Sequence, residues 1–372
     1  HGKLVERAGP GGEGDVIDHF SATAIDHYLH HFDTIFAGRD LTGLRAWFND
    51  SYEVDDARGE ADFTPLLLEE FNQRRGYDLR HHLPALMGLD SADINARVLT
   101  DYRQTISDLI LENYTLRWHD WSTRGGHIIR NQAHGAPADI LDLYAAADIP
   151  ETEGEDIVKI KTASSVAHVT GKKLASSESA TWLKDHFQAS LEEVKHAADL
   201  FLLAGINHIF YHGTTYSPQE APWPGWMFYA AVHFSPTNPF WKDFAALNGY
   251  IARVQSFLQK GTPDNDLLLY NPIFDEYADR GRSLLRHFDG SAQNSALRPV
   301  ALDLWNRGYA FDYISDRQTA HLEVHDGSLL TGGNHYRALL VPPARLMPPE
   351  TFEKLVTLAR QGATILMAAL PE

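Results

Sequence analysis

Glu178 stands in KKLASSESATW, among small residues, with Trp182 just beyond it. Glu151 and Glu153 stand in ADIPETEGED, and Asp50 and Glu53 close RAWFNDSYEV. Each carboxylate follows or ends a short apolar run. Two carboxyl groups facing each other across a cleft are what glycosidic hydrolysis needs. One is protonated and releases the leaving oxygen; the other attacks the anomeric carbon or activates water. Their separation, about 5 Å or about 6.5–9.5 Å, decides which. The neighbours in SSES offer no helical stripe, and their small side chains let a bulky ligand approach the backbone. A lone loop glutamate would otherwise read as an N-cap or a solvated residue.

Aromatic rings and histidines recur at similar places: Tyr211 and His212 in NHIFYHG, His134 in QAHGAPAD, and Trp223 in the Pro-rich APWPGW. Rings stack on sugar faces, so Trp182, Tyr211, His212 and Trp223 are candidate substrate contacts, with Asp50 and His134 beside them. The ETEG pair has a second reading. A hard cation such as Ca²⁺ takes several carboxylate and carbonyl oxygens, which a Glu- and Gly-rich turn supplies, although no EF-hand pattern is present. His27, His30 and His31 alternate with Ile25, Leu29 and Phe32 at helical spacing. They read as a helix face rather than a zinc site. GPGGEG lacks a preceding strand and any phosphate-binding pattern, so it reads as a loop. With no GxSxG elbow and no cysteine, acyl transfer lacks its usual residues.

These groups need elements to hold them. Strand-like and helix-like runs alternate along the chain, which argues for parallel strands in an α/β fold. LRAWFNDSYE, HIIRNQAH, DIPETEG, KLASSES, NHIFYHGTTYS and DNDLLLYNPIF read as strands. TPLLLEEFNQRRGYDL, the long run from Asp93 to Gly126, SLEEVKHAADLFLLAG and FWKDFAALNGYIARVQSFLQKG read as helices closed by glycine. This rhythm predicts a (β/α)8 TIM-type barrel over residues 1–290, with its site at the C-terminal strand ends. A polar connector, GSAQNSALRP, follows. Residues 297–372 then read as part of a doubly wound α/β domain.

Composition excludes other classes. At 372 residues, 44% hydrophobic and 22% charged, the chain is globular and long enough for a large core. Its 32 Lys and Arg against 50 Asp and Glu give a net charge of −18, which repels nucleic acid. No apolar run is long enough to span a membrane. The absence of cysteine rules out disulfides and thiolate metal sites and is compatible with export. The start, HGKLVERAG, has no signal-peptide core, and the end, ILMAALPE, follows a strand-like run. Both suggest a piece of a longer protein.

FNDSYEV, EEFNQRRGYDLRHHLPAL, RNQAHGAPADILDLYAAADIPETEG, ASSESATW, GINHIFYHGTTYSPQEAPWPGWMFYAAVHFSPTNPFW and YIARVQSFLQKGTPDNDLLLYNP together resemble glycoside hydrolase family 106. These are large bacterial α-L-rhamnosidases. The resemblance runs in order over most of residues 1–290, and the part after 297 resembles the α/β domain that follows the barrel in such enzymes. It implies a secreted, inverting hydrolase of plant or algal polysaccharides or glycosides. In that reading Glu53 of SYE is the general acid and Glu178 of SSES the general base. Glu153, with Glu151 beside it, is a calcium ligand. The alternatives are a glycosidase for another sugar, β-galactosidase-like or uronic-acid-acting, and a non-catalytic carbohydrate-binding barrel. The binding-barrel reading gains if Glu53 or Glu178 points into the core instead of both facing one pocket.

Overall fold

The computed structural model of the chain describes residues 3–6, 8, 11–54, 63–281, 283–288 and 296–371. Five short strands, β1 (Ala46–Asn49), β2 (Ile128–Asn131), β3 (Ile149–Glu153), β4 (Ser176–Ser179) and β5 (His208–Tyr211), pair in sequence order, all parallel. Parallel neighbours need crossovers, and helices supply them. Their starts are set by side-chain caps: Asp139 before Ile140–Ala146, Asp156 before Ile157–Val169, and a Ser190/Glu193 capping box before Leu191–Leu203. The long helix expected after Asp93 runs as Ala92–Leu109, continues through a π-helical stretch at Ile110–Leu116, and ends in Arg117–Arg124.

The sheet is strongly curled. The Arg130 guanidinium, on β2, lies 3.9 Å from the Phe48 ring centre on β1 and 3.5 Å from that of Phe210 on β5. Three flat strand spacings would put β5 about 14 Å from β2. The five strands therefore form half a barrel with Arg130 in its hollow.

Among the described residues the strands do not close into an eight-stranded barrel. β6 (Leu267–Tyr270), expected as a barrel strand, pairs instead with β7 (Phe311–Ile314) and β11 (Ala338–Val341). With β12 (Thr364–Met367) they make a parallel sheet in the order β12-β11-β6-β7. Read by chain order this is 4-3-1-2, the opening of a flavodoxin-like doubly wound sheet. Its first strand thus lies before the connector expected at 290–297, most of which is outside the described residues. Between β7 and β11 the strands β8 (Glu323–His325), β9 (Ser328–Thr331) and β10 (Asn334–Tyr336) form an antiparallel meander that the sequence reading did not anticipate.

The helix Ile157–Val169 joins the two sheets. Nearly all its residues are buried, because β3 covers one side and β7 the other. His168 meets the buried Asp312 of β7 at 2.9 Å, and Asn334 donates to the His168 carbonyl at 2.8 Å.

Arg103 holds the stretch that starts in the helix Ile273–Ala278 and continues beyond it. Its guanidinium is buried and donates to six carbonyls between Glu276 and Leu284, among them Leu284 at 2.7 Å and Ser283 at 2.9 Å. A few residues on, the Phe288 carbonyl accepts from the Gly135 amide at 2.7 Å, beside His134. Arg103→Met would leave buried carbonyls without donors, which costs about 1–3 kcal/mol for each one not rescued by water. We expect a loss of about 3 kcal/mol or more in denaturant unfolding. A change within about 0.5 kcal/mol would show that the segment holds without it.

Candidate active site

In a parallel sheet, residues in register share a face. Phe48 stands opposite Arg130, Glu151 opposite Ser176, Glu153 opposite Glu178, and Glu178 opposite Phe210. Arg130 touches Phe48 and Phe210, so this is the concave face. Counting in twos toward the C-terminal strand ends gives Asp50, Gln132 and His134, Glu153, Glu178, and His212. The strand ends meet at a cleft of about 640 Å³, lined by Asp50, Glu53, His134, Glu153, Glu178, Trp182 and His212 among others. Glu53 and Glu178 thus face one pocket.

Glu178 is held on both oxygens. Gln132 donates from Nε2 to one at 2.8 Å, and the Thr181 hydroxyl donates to the other. His212 Nε2 lies 4.0 Å away, with its Nδ1 3.3 Å from the Ala230 carbonyl. Burial raises the Glu178 carboxyl above its ordinary value. The Thr181 bond opposes this, Asp50 and Glu153 add to it, and His212 opposes it. Glu53 sits on the β1 tail, where the Ser51 hydroxyl donates to it at 3.4 Å.

Glu153 behaves in the opposite sense. Burial alone would raise it, but the Lys159 ammonium at 3.0 Å and His134 at 3.4 Å hold it below its ordinary value. Neighbouring carboxyls pushed apart in this way are a recurrent feature of acid–base sites.

A calcium ion does not fit Glu151 and Glu153 as they stand. The Lys159 ammonium occupies the position beside Glu153 that a cation would take. Glu151 is 1% exposed, one layer below the cleft, accepting from Ser176 at 2.6 Å and paired with Arg130 at 3.2 Å. Burial pushes its pKa up to about 7, against the opposing pull of Arg130 and Ser176. Among the described residues no three His, Asp or Glu side chains are placed to hold a metal ion together. His27, His30 and His31 lie on an exposed face of the helix Ala22–Phe36, as their spacing suggested.

Two further candidates lie away from the pocket. Tyr211 packs on Phe234 and Phe244 and donates to Asn248 at 2.8 Å, on the far side of β5 from Glu178. Trp223 is 82% exposed and does not line the cleft. Conversely, Gln132, Thr181, His19 and Tyr229 were not singled out from the sequence. His19 lines the cleft, packed on the Tyr52 and Tyr114 rings, and burial pushes its pKa down to about 4, so it is neutral near pH 7. Gln132 was recoverable: it is two residues on from Arg130, on the same face.

Carboxylates and rings gathered at the carboxyl ends of a curled parallel sheet form the kind of cleft in which α/β folds place a ligand or active site. Residues 2–371 match glycoside hydrolase family 106, described as alpha-L-rhamnosidase, and the chain belongs to this family. A protein of Formosa agariphila named putative beta-glucuronidase is 29% identical over 378 residues, covering 98% of this chain and 30% of that protein. The structure of a rhamnosidase from Novosphingobium sp. PP1Y superposes with a TM-score of 0.74 at 24% identity, over 98% of this chain and 35% of that one. An exo-carrageenase of glycoside hydrolase family 42 from Bacteroides ovatus superposes with a TM-score of 0.62 at 12% identity, over 97% and 54% of the two chains. These last two likenesses are of fold. The chain spans about a third of the length of the first two relatives.

Proposed function

We propose that the enzyme carrying this chain hydrolyses α-L-rhamnosyl bonds of a plant or algal polysaccharide or glycoside, with inversion. Glu53 is the general acid and Glu178 the general base. The observation that carries the reading is that both line one cleft, with Glu178 fixed by two donors. A binding-only barrel would not need a carboxylate so held. A general base works best with a pKa near the working pH, and burial moves Glu178 in that direction. Gln132 and Thr181 are positioning residues in this scheme. Calcium is left out, because Glu151 and Glu153 already carry Arg130 and Lys159 as counter-ions.

The name of the Formosa relative raises a glucuronide substrate as the rival. A uronic acid brings a carboxylate, which calls for Arg or Lys in the pocket. The described residues lining the cleft include Asp50, Glu53, Glu153 and Glu178 but no Arg or Lys. A neutral sugar fits that lining better. Among the described residues no helix is long and apolar enough to cross a membrane. Since a polysaccharide must be met outside the cell, we place the enzyme there.

A panel of nitrophenyl glycosides given to the full-length enzyme tests the sugar. Release is expected from the α-L-rhamnoside, and release from the β-D-glucuronide instead would overturn the assignment. The Thr181 bond is tested by pH. Its hydroxyl stabilises ionised Glu178, so Thr181→Val raises the Glu178 pKa further. A base must be ionised, and the acid limb of kcat/KM therefore moves to higher pH. A lower plateau with an unmoved limb would make Thr181 merely structural.

A further inference from the structure

We infer that the loop between β5 and the helix Trp241–Leu258 is a platform for sugar residues on the leaving-group side of the scissile bond. The natural substrate is then an oligosaccharide or polysaccharide rather than a small glycoside. This rests on the function proposed above and adds the size and chemistry of what the enzyme must hold beyond the terminal sugar.

The loop presents an unusual surface. Tyr216 is 98% exposed, Trp223 82%, Met227 55% and Trp226 49%. Tyr229, further along the loop, and Trp182, from the β4 tail, are also exposed, and their rings meet edge-on at 4.7 Å. Exposed aromatic side chains gathered on one loop are uncommon on a soluble surface and mark a binding function. Continuity with the cleft indicates what binds. Trp182 and Tyr229 line the cleft that holds Glu53 and Glu178, and Tyr229 belongs to the same loop as Tyr216, Trp223 and Trp226.

Chemistry narrows the occupant. Between Gly213 and Ala230 the only charged side chain is Glu220. A partner recognised through charge would find little here, whereas the C–H faces of sugar rings suit uncharged aromatic surfaces. The terminal sugar sits among the carboxylates, so whatever lies along the lip belongs to the other side of the bond.

The loop that carries the rings is tied together. The Thr215 hydroxyl donates to the Trp226 carbonyl, and the Trp226 amide donates to Ser217 Oγ at 2.8 Å, tying the two limbs together. The Gly225 amide donates to the Pro222 carbonyl at 2.8 Å. Gly225 itself has φ +101°, and a Cβ there would stand 2.7 Å from Ser217 Oγ. The Trp182 amide donates to the Ala230 carbonyl at 3.1 Å, joining the two lips. A loop backbone already ordered before binding loses less freedom when a sugar lands on it.

The test compares two substrates with the same terminal sugar, a nitrophenyl α-L-rhamnoside and a rhamnose-capped oligosaccharide of three or more residues. Full-length wild type and Tyr216→Ala/Trp226→Ala are used. We expect KM for the oligosaccharide to rise about tenfold or more, and at least five times further than KM for the nitrophenyl substrate. An equal loss on both, with a lower Tm, would make the loop structural and overturn the platform. No change on either would also overturn it, and would mean that another part of the protein or a second copy covers the patch. Should the wild type prefer another terminal sugar, the same pair built on that sugar is used. The sugar assignment and the platform then fail or stand separately.

Discussion

Glu178→Gln in the full-length enzyme is expected to lower kcat on an α-L-rhamnoside by about 10³-fold or more while leaving the fold intact. That factor corresponds to about 4 kcal/mol of lost transition-state stabilisation. Glutamine keeps the shape and can still receive the Thr181 bond, but it cannot take a proton from water. Gln132 loses an ionised acceptor, which one amide flip accommodates, so unfolding curves should match the wild type. Added azide distinguishes the role. A small anion needs no base, so it restores turnover and gives a β-configured glycosyl azide from the α-substrate. If the variant kept a tenth of the wild-type rate, the base lies elsewhere in the cleft, and Asp50 becomes the first candidate.

The strands that build the site were legible because short strand-like runs recur between helix-like ones, and β1 to β5 fall within them, although β4 itself reads Ser-Ser-Glu-Ser and β3 carries two glutamates. Their partners were not. LLLY at 267–270 is the same kind of run as its predecessors, and a buried strand carries no mark of the sheet it joins. Only the register with Phe311–Ile314 and Ala338–Leu340 places it. The helix Ile157–Val169 escaped for a related reason. Buried between two sheets, it mixes Ala163, Ser164, Ser165 and Ala167 with Ile160 and Val166 on all sides and shows no stripe.

Within the site, period two decides most outcomes. Tyr211 and His212 are consecutive on an extended segment, so they point to opposite faces, and only His212 reaches Glu178. Glu151 and Glu153 share a face but differ in depth. One is sealed beneath the cleft with Arg130, and the other opens into it. Which of them meets solvent depends on where the strand ends relative to its neighbours, and short-range pattern does not carry that information. Trp223 sits on a loop whose path is set by ties such as Thr215 to Trp226. Its ring was foreseeable as a surface feature, its distance from the carboxylates was not.

Glu53→Gln should behave differently from Glu178→Gln, and the difference separates acid from base. A general acid matters in proportion to how badly the departing oxygen needs a proton. With a sugar alkoxide as leaving group the loss should reach about 10³-fold or more. With a dinitrophenolate, which leaves readily as an anion, the same variant should retain activity within about tenfold of wild type. Azide should not rescue it, because nucleophilic attack is not the step impaired. The alkaline limb of the wild-type pH profile, which reports the acid losing its proton, should flatten for the activated substrate. Proton NMR during the first turnovers supplies the remaining constraint: an inverting pair releases β-rhamnose first from an α-rhamnoside. If α-rhamnose appeared first, the scheme would be retaining, and one of the two glutamates would be a nucleophile. Because Glu178 is the one fixed by Gln132 and Thr181, it would then be the attacking group, with Glu53 serving as acid and base in turn.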